Sequence, residues 1–299
     1  MKRWTQLSVA LLLSACSMGR RPGESTDGGL DAAGPFDAAS SGQRGCEGEL
    51  QGCYTVYAHS DHVLYHIDLK AKQLVTVGPF KAPLVLVNGK MEEDVITDLA
   101  VAPDDTLYVI SRTSLYTADP KDGHVTLQGA VTACGEQAVA LTFNPEGELF
   151  AADFKGAFCR IDLSSQPPQV INVGIVGGGL ALTGDLVAVG DGTMYGTAYN
   201  MADAPSKGTQ ANNLLIKLDP MTGKNLQLVG STGSPKLYGA AFAEGQVFGF
   251  THDGSGDVVT IDPKTGKGKL YNSFADPDTQ KPISFAGAGV NAKVAPTIM

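Results

Sequence analysis

The sequence predicts an all-β fold: a β-propeller of five four-stranded blades, with one blade assembled from both chain ends. Three observations carry this. Gly (37) and Pro (16) punctuate the 299 residues densely, which suits short strands joined by tight turns and argues against a helical bundle. Two apolar phrases recur through most of the chain, and each pairing of them spells four strands. Finally, the chain begins this pattern at a second strand and ends it at a first strand, as a closed ring requires.

Residues 1–15 come first. Lys2 and Arg3 precede an apolar run from Leu7 to Leu13. That run is far shorter than the ~20 residues of a membrane span and reads as a secretory signal peptide. It ends in Leu13-Ser14-Ala15-Cys16, which resembles the lipobox of bacterial lipoproteins. The resemblance implies a diacylglycerol on the Cys16 thiol, cleavage before Cys16, and a further acyl chain such as palmitate on the new amine. Three chains on one residue exceed what stable anchoring needs. Ser17, where Asp would direct retention elsewhere, implies the outer membrane of a Gram-negative bacterium. Loss of Lys2 and Arg3 would take the formal charge from −9 to −11. Such a charge does not favour anionic head groups, which leaves anchoring to the lipid.

Residues 16–45 follow as a tether. They are rich in Gly, Ser, Ala, Asp and Pro and bury too little apolar surface to offset the entropy of ordering. The expected reach is roughly 30 Å.

Residues 46–299 form the propeller domain. Five segments share an apolar strand, an Asp that opens a turn, and a second strand: LYHIDLKAKQLVTVG, LYTADPKDGHVTLQG, FCRIDLSSQPPQVINVG, LIKLDPMTGKNLQLVG and VVTIDPKTGKGKLYN. Their acids are Asp68, Asp119, Asp162, Asp219 and Asp262, spaced by 51, 43, 57 and 43 residues. A carboxylate there accepts backbone N–H groups just ahead of it, a structural role. A second hairpin phrase precedes four of them: TDLAVAPDDTLYVIS, VALTFNPEGELFAAD, GDLVAVGDGTMYGTA and YGAAFAEGQVFGFTH. These phrases resemble the bacterial propeller repeats of the NHL, YVTN and gluconolactonase-like type, from Tyr54 to about Val294. The resemblance is specific for the fold and weak for any activity. Residues 54–60 start as a second strand and 283–291 read as a lone first strand, so joining them closes five blades and removes exposed sheet edges. Six blades follow instead if residues 79–93 hide further strands.

Propeller topology assigns the long insertions at 79–93, 176–183 and 200–212 to one face, the top, where loop elaboration marks the binding side of a repeat fold. The tether enters on the opposite face. Asp98 and Asp185 align near the start of their first strands, at the top of the central channel, with Tyr238 at the matching place in blade five. Two carboxylates at a channel mouth suit a cation or a sugar; the alternative is that they fix local backbone. No cofactor is predicted, and a divalent cation at this mouth is the one candidate. Gluconolactonase-like enzymes hold a metal here with acidic and amide groups, but Ala140 occupies this position in blade three, so the set is incomplete.

Cysteines after Cys16 are even in number, as expected of an exported chain. Their positions favour Cys46–Cys53 and Cys134–Cys159 disulfides. His59 and His66 fall on one face of a hairpin and read as solvated histidines, with a Zn or Cu site as the lesser reading. Asp253-Gly-Ser-Gly-Asp257 reads as a Gly-rich turn, lacking the later bidentate Glu of a calcium loop. Hydrolase, zincin and P-loop signatures are absent. No run of basic residues occurs and pI is near 5.0, so a nucleic-acid partner is not expected.

The functional expectation is an outer-membrane lipoprotein whose propeller binds a protein or glycan on its top face without catalysis. The alternative is a metal-dependent hydrolase or lactonase, or a quinone-type dehydrogenase, at the channel top. The first strands read LAVA, ALTF, LVAV, GAAF and FAGAG, offering few acids or bases, which favours binding.

Overall fold

The computed structural model describes residues 55–87, 89–203 and 212–292. The signal peptide at 1–15, Cys16 and the tether at 16–45, the Cys46–Cys53 pair, and most of the 200–212 insertion lie outside the described residues.

The chain forms five four-stranded antiparallel blades. Blade 1 orders β22 (Gly287–Gly289), β1 (Thr55–His59), β2 (Val63–Asp68) and β3 (Gln73–Pro79) from axis to rim. Blade 2 is β6 (Ile96–Val101), β7 (Leu107–Ser111), β8 (Ser114–Ala118) and β9 (Val125–Ala130); blade 3 is β10 (Ala138–Phe143), β11 (Leu149–Asp153), β12 (Ala157–Asp162) and β13 (Gln169–Ile175). Blade 4 is β14 (Leu180–Ala188), β15 (Met194–Asn200), β16 (Leu214–Leu218) and β17 (Asn225–Ser231); blade 5 is β18 (Leu237–Ala243), β19 (Gln246–Thr251), β20 (Asp257–Ile261) and β21 (Gly268–Ser273).

Blade 1 closes the ring as expected: Tyr57, Ala58 and His59 pair with Gly289, Ala288 and Gly287. The 79–93 insertion does contain strands, β4 (Leu84–Val87) and β5 (Lys90–Glu93), but they pair only with each other. The ring therefore has five blades and not six. The 176–183 insertion is shorter than the sequence suggested, because β14 already begins at Leu180 and carries its irregularity between Leu182 and Leu186.

One apolar cluster fills each seam between neighbouring blades. Leu64, Phe80, Val109 and Tyr116 join blades 1 and 2; Ile110, Leu141 and Cys159 join 2 and 3; Phe158, Leu182 and Ile216 join 3 and 4; Tyr195, Leu237 and Phe242 join 4 and 5; Val56, Phe250 and Phe285 join 5 and 1. Inner strands are covered on both faces, so they read as nearly unbroken apolar runs; β11, Leu-Phe-Ala-Ala-Asp, is buried throughout. Rim strands are mostly exposed or half-buried, and Val75, Leu127, Leu228 and Leu270 are exposed on them.

The turn aspartates behave as the repeats imply. Asp68, Asp119, Asp162, Asp219 and Asp262 each accept a backbone N–H two or three residues ahead, at 2.8–2.9 Å. Asp253 does the same for Ser255 N, which agrees with a Gly-rich turn there.

Candidate functional site

The five innermost strands converge on the axis so tightly that side chains must be small. A Cβ on Gly239 would meet the backbone of Gly287 and Ala288, and one on Gly184 would meet that of Tyr238. The axial space between Leu99, Leu141, Leu186, Ala240 and Ala288 is only ≈ 10 Å³, about the volume of one water. Ala, Gly and Val in the first strands are thus a steric requirement of closure.

Asp98 and Asp185 stand at the top of this axis, both fully buried. Asp98 Oδ1 accepts Leu99 N at 2.8 Å and Oδ2 accepts Leu141 N at 2.7 Å; the amide of Ala288 is a third donor to this carboxyl. Asp185 Oδ2 accepts Ala240 N at 2.6 Å, with Leu186 N as its second donor. Those five amides occupy one register. Leu99 pairs with Val109, Leu141 with Ala151, Leu186 with Gly196, Ala240 with Gly249, and Ala288 with Ala58. Each blade therefore gives one equivalent inward N–H, and two carboxyl groups receive all five. Without them these donors would be buried without partners, at about 1–3 kcal/mol each.

The electrostatic result is a high proton affinity. Burial pushes both carboxyls well above the usual carboxylate range, against the amides, which favour the charged form. The negative charge of Asp98 raises Asp185 further. The two side chains are within hydrogen-bonding reach of each other, and Asp185 Oδ1 receives no N–H.

Sequence reasoning missed His59 as part of this cluster. It is fully buried, not solvated, because β1 is the second strand of the shared blade and its last residue points at the axis. His59 Nδ1 donates to Ser60 O at 2.8 Å, since a carbonyl can only accept. Nε2 is then a bare acceptor without a partner. A Cβ on Gly287 would collide with both His59 Nε2 and Asp98 Oδ1, placing those atoms within about 5 Å of each other. Burial lowers the His59 pKa to about 4. His66 lies apart from it and packs its ring against Tyr57, 5.4 Å between centroids. No group of three or more metal-ligating side chains forms among the described residues. The signal for His59 was its place at the end of strand β1, paired to the Gly-rich closing strand.

Tyr238 is not brought into the carboxyl pair. The residue matching Asp98 in blade 5 is Gly239, since Asp98 pairs with Ile110 and Gly239 with Phe250 just after a bulge in each strand. Tyr238 is the extra residue of its bulge and turns to stack on His252, 4.7 Å between centroids at 10°. His252 Nδ1 donates to Phe285 O at 3.1 Å, which fixes the stack at the top of the seam between blades 5 and 1.

Two further features organise the top face. Cys134 and Cys159 are bonded, tying the loop into blade 3 to β12. Asp153, a buried acid not singled out from the sequence, accepts Lys155 N, Ala157 N and Glu136 N and so holds that loop. The β4–β5 hairpin is anchored by Phe80 edge-on to His59 and by Tyr116 donating to Asp94 at 2.7 Å. Beyond this anchor Leu84, Leu86 and Met91 are 62%, 71% and 59% exposed. Leu86 and Met91 are cross-strand partners, so these side chains share one face. On the opposite side of the ring, a groove of ≈ 260 Å³ lies at the turns of blade 3, with Glu148 and Arg160 paired to each other at 2.9 Å.

No family model and no curated protein matches the chain. Among solved structures it is similar to a gluconolactonase from Xanthomonas campestris, at 18% identity over 80% of this chain and 78% of that one, with a TM-score of 0.45. It is also similar to the Dos1 propeller, at 15% identity over 74% of this chain and 61% of that one, TM-score 0.43. A Bacteroides thetaiotaomicron protein of unknown function gives 17%, 74% and 56%, TM-score 0.44. The chain spans less than two thirds of the length of the Dos1 and Bacteroides structures. These likenesses concern the propeller fold, and no residue role is taken from them.

Proposed function

We propose that this chain is an outer-membrane lipoprotein, anchored through Cys16, whose propeller binds a protein or glycan partner through its top face without catalysis. One observation carries the reading. The carboxyls best placed to serve a substrate at the channel mouth are sealed from solvent and committed to the blades' own amides. Among the described residues, what the top face offers instead is the apolar face of the β4–β5 hairpin. Apolar side chains exposed together on one face are what contact surfaces present.

Two experiments test this. Cys16→Ala should move the protein from the outer-membrane fraction to the periplasm or medium; continued membrane fractionation would remove the anchor from the reading. Glycan arrays and in-cell cross-linking with the wild type should yield a partner that is weakened when 203–210 is trimmed to a short Gly-containing turn, or when Leu84, Leu86 and Met91 are changed to Ser. Full retention by both variants would move the binding surface off the top face.

A further inference from the structure

The amides on the axis divide unequally. Asp98 holds those of blades 1, 2 and 3, and Asp185 those of blades 4 and 5. The apolar seams join blade 3 to 4 and blade 5 to 1, but on the axis the ring consists of two arcs, each clasped by one carboxyl, and the two carboxyls link where the arcs meet. Two ionised carboxylates cannot make that link, because both are acceptors and like charges in a water-free site repel.

We propose that Asp98 and Asp185 hold a single proton between them at neutral pH, and that this proton is the clasp joining the two arcs of the ring. The proton sits between Asp185 Oδ1, which no N–H reaches, and the Asp98 carboxyl. It gives one O–H donor to a site that otherwise contains only acceptors facing each other. Removing it, as water formed with hydroxide, leaves two negative charges and breaks the carboxyl link, so that the apolar seams alone hold the arcs together.

The surroundings offer no substitute for that proton. From β1, His59 faces the pair but stays neutral, held to about 4 by burial. His252, just after β19, lowers the proton affinity of His59 further. β10 contributes Ala140 and β22 contributes Gly287, neither of which titrates. β18 contributes Gly239, and the Tyr238 ring is turned toward His252. The groups acting most strongly on each carboxyl are burial, backbone amides and the other carboxyl. Because folding raises the proton affinity of these groups, the folded chain binds more protons than the unfolded chain. Stability therefore falls as pH rises from the unfolded carboxyl range at ~4 to the pH where the folded pair loses its proton, and levels off above it. The proposal is independent of the binding reading above.

Infrared spectroscopy reads the proton directly. The wild type at pH 7 should show the carbonyl stretch of a protonated carboxylic acid, distinct from the carboxylate bands. That band should be absent from the Asp98→Asn/Asp185→Asn double variant and disappear from the wild type on alkaline titration, at the pH where the fall of melting temperature levels off. The double variant should melt at a temperature that no longer falls over the same pH range. If it does not fold, the wild-type titration decides alone. Absence of an acid band from the wild type at pH 7, or a fall of stability over that same pH range that persists in the double variant, would overturn the proposal.

Discussion

Aspartates serve this ring in two places, at the blade turns and on the axis, and both sets accept backbone N–H groups. At the rim, Asp162 is held below the usual carboxylate range by Ser164, Asp219 by Thr222 and Met221, and Asp262 by Lys264 N. These side chains are solvated, so hydrogen bonding to the charged form dominates. On the axis Asp98 and Asp185 accept comparable hydrogen bonds, yet both are pushed up. The difference is burial and the proximity of the second carboxyl, which outweigh the amides. One residue type therefore marks turns where water is present and clasps strands where it is not.

The comparison breaks most sharply at Asp98. Asp98→Ala leaves three buried amides unpaired, and the loss should be on the order of 4 kcal/mol, read as a lower urea midpoint. Asp185→Ala should cost less, since it frees two.

His59 sets the acid side of the same contrast. Its folded pKa of about 4 lies below the unfolded value of 6.5, so its contribution is complete above pH 6.5 and is lost as pH falls toward 4. This amounts to about 3 kcal/mol. His59→Gln should flatten that acid limb in a thermal scan against pH, and an unchanged limb would assign it to other groups.

The disulfide sharpens the distinction between a covalent tie and a protonic one. Cys134→Ser with Cys159→Ser opens a 25-residue loop and should remove ~3 kcal/mol, by the same amount at pH 7 and pH 9. A loss that varied across this range would mean that the bond and the axis are coupled.

The smallest effect belongs to the rim. Asp219→Ala and Asp262→Ala should leave the melting temperature within measurement scatter at pH 7, because solvated turn contacts are screened. A loss there as large as that of Asp98→Ala would erase the comparison.

Much of the fold was legible because propeller repeats repeat their turn chemistry. The five turn aspartates fixed the spacing of the outer hairpins, and the unmatched second and first strands at the two ends predicted the shared blade. The β4–β5 hairpin was legible only as an insertion, since Leu84 to Val87 form a short apolar run with no period-two pattern to separate strand from loop. The site was half legible. Asp98 and Asp185 were found from their place at the head of the first strands, but their environment depends on how five strands meet, which no single blade encodes. The Tyr238 offset had the same origin: a bulge adds one residue to β18, so Gly239 and not Tyr238 takes the place of Asp98. His59 was misread because a histidine near a turn resembles a solvated one until ring closure buries it.

Hydrogen exchange at the five equivalent amides of Leu99, Leu141, Leu186, Ala240 and Ala288 tests the central claim most directly. In the wild type at pH 7 all five should exchange together and slowly, by global unfolding alone. In Asp98→Ala under native conditions, Leu99, Leu141 and Ala288 should lose protection while Leu186 and Ala240 keep it. Equal loss at all five, or protection unchanged at the three, would contradict the account that two buried carboxyls divide the axis between them.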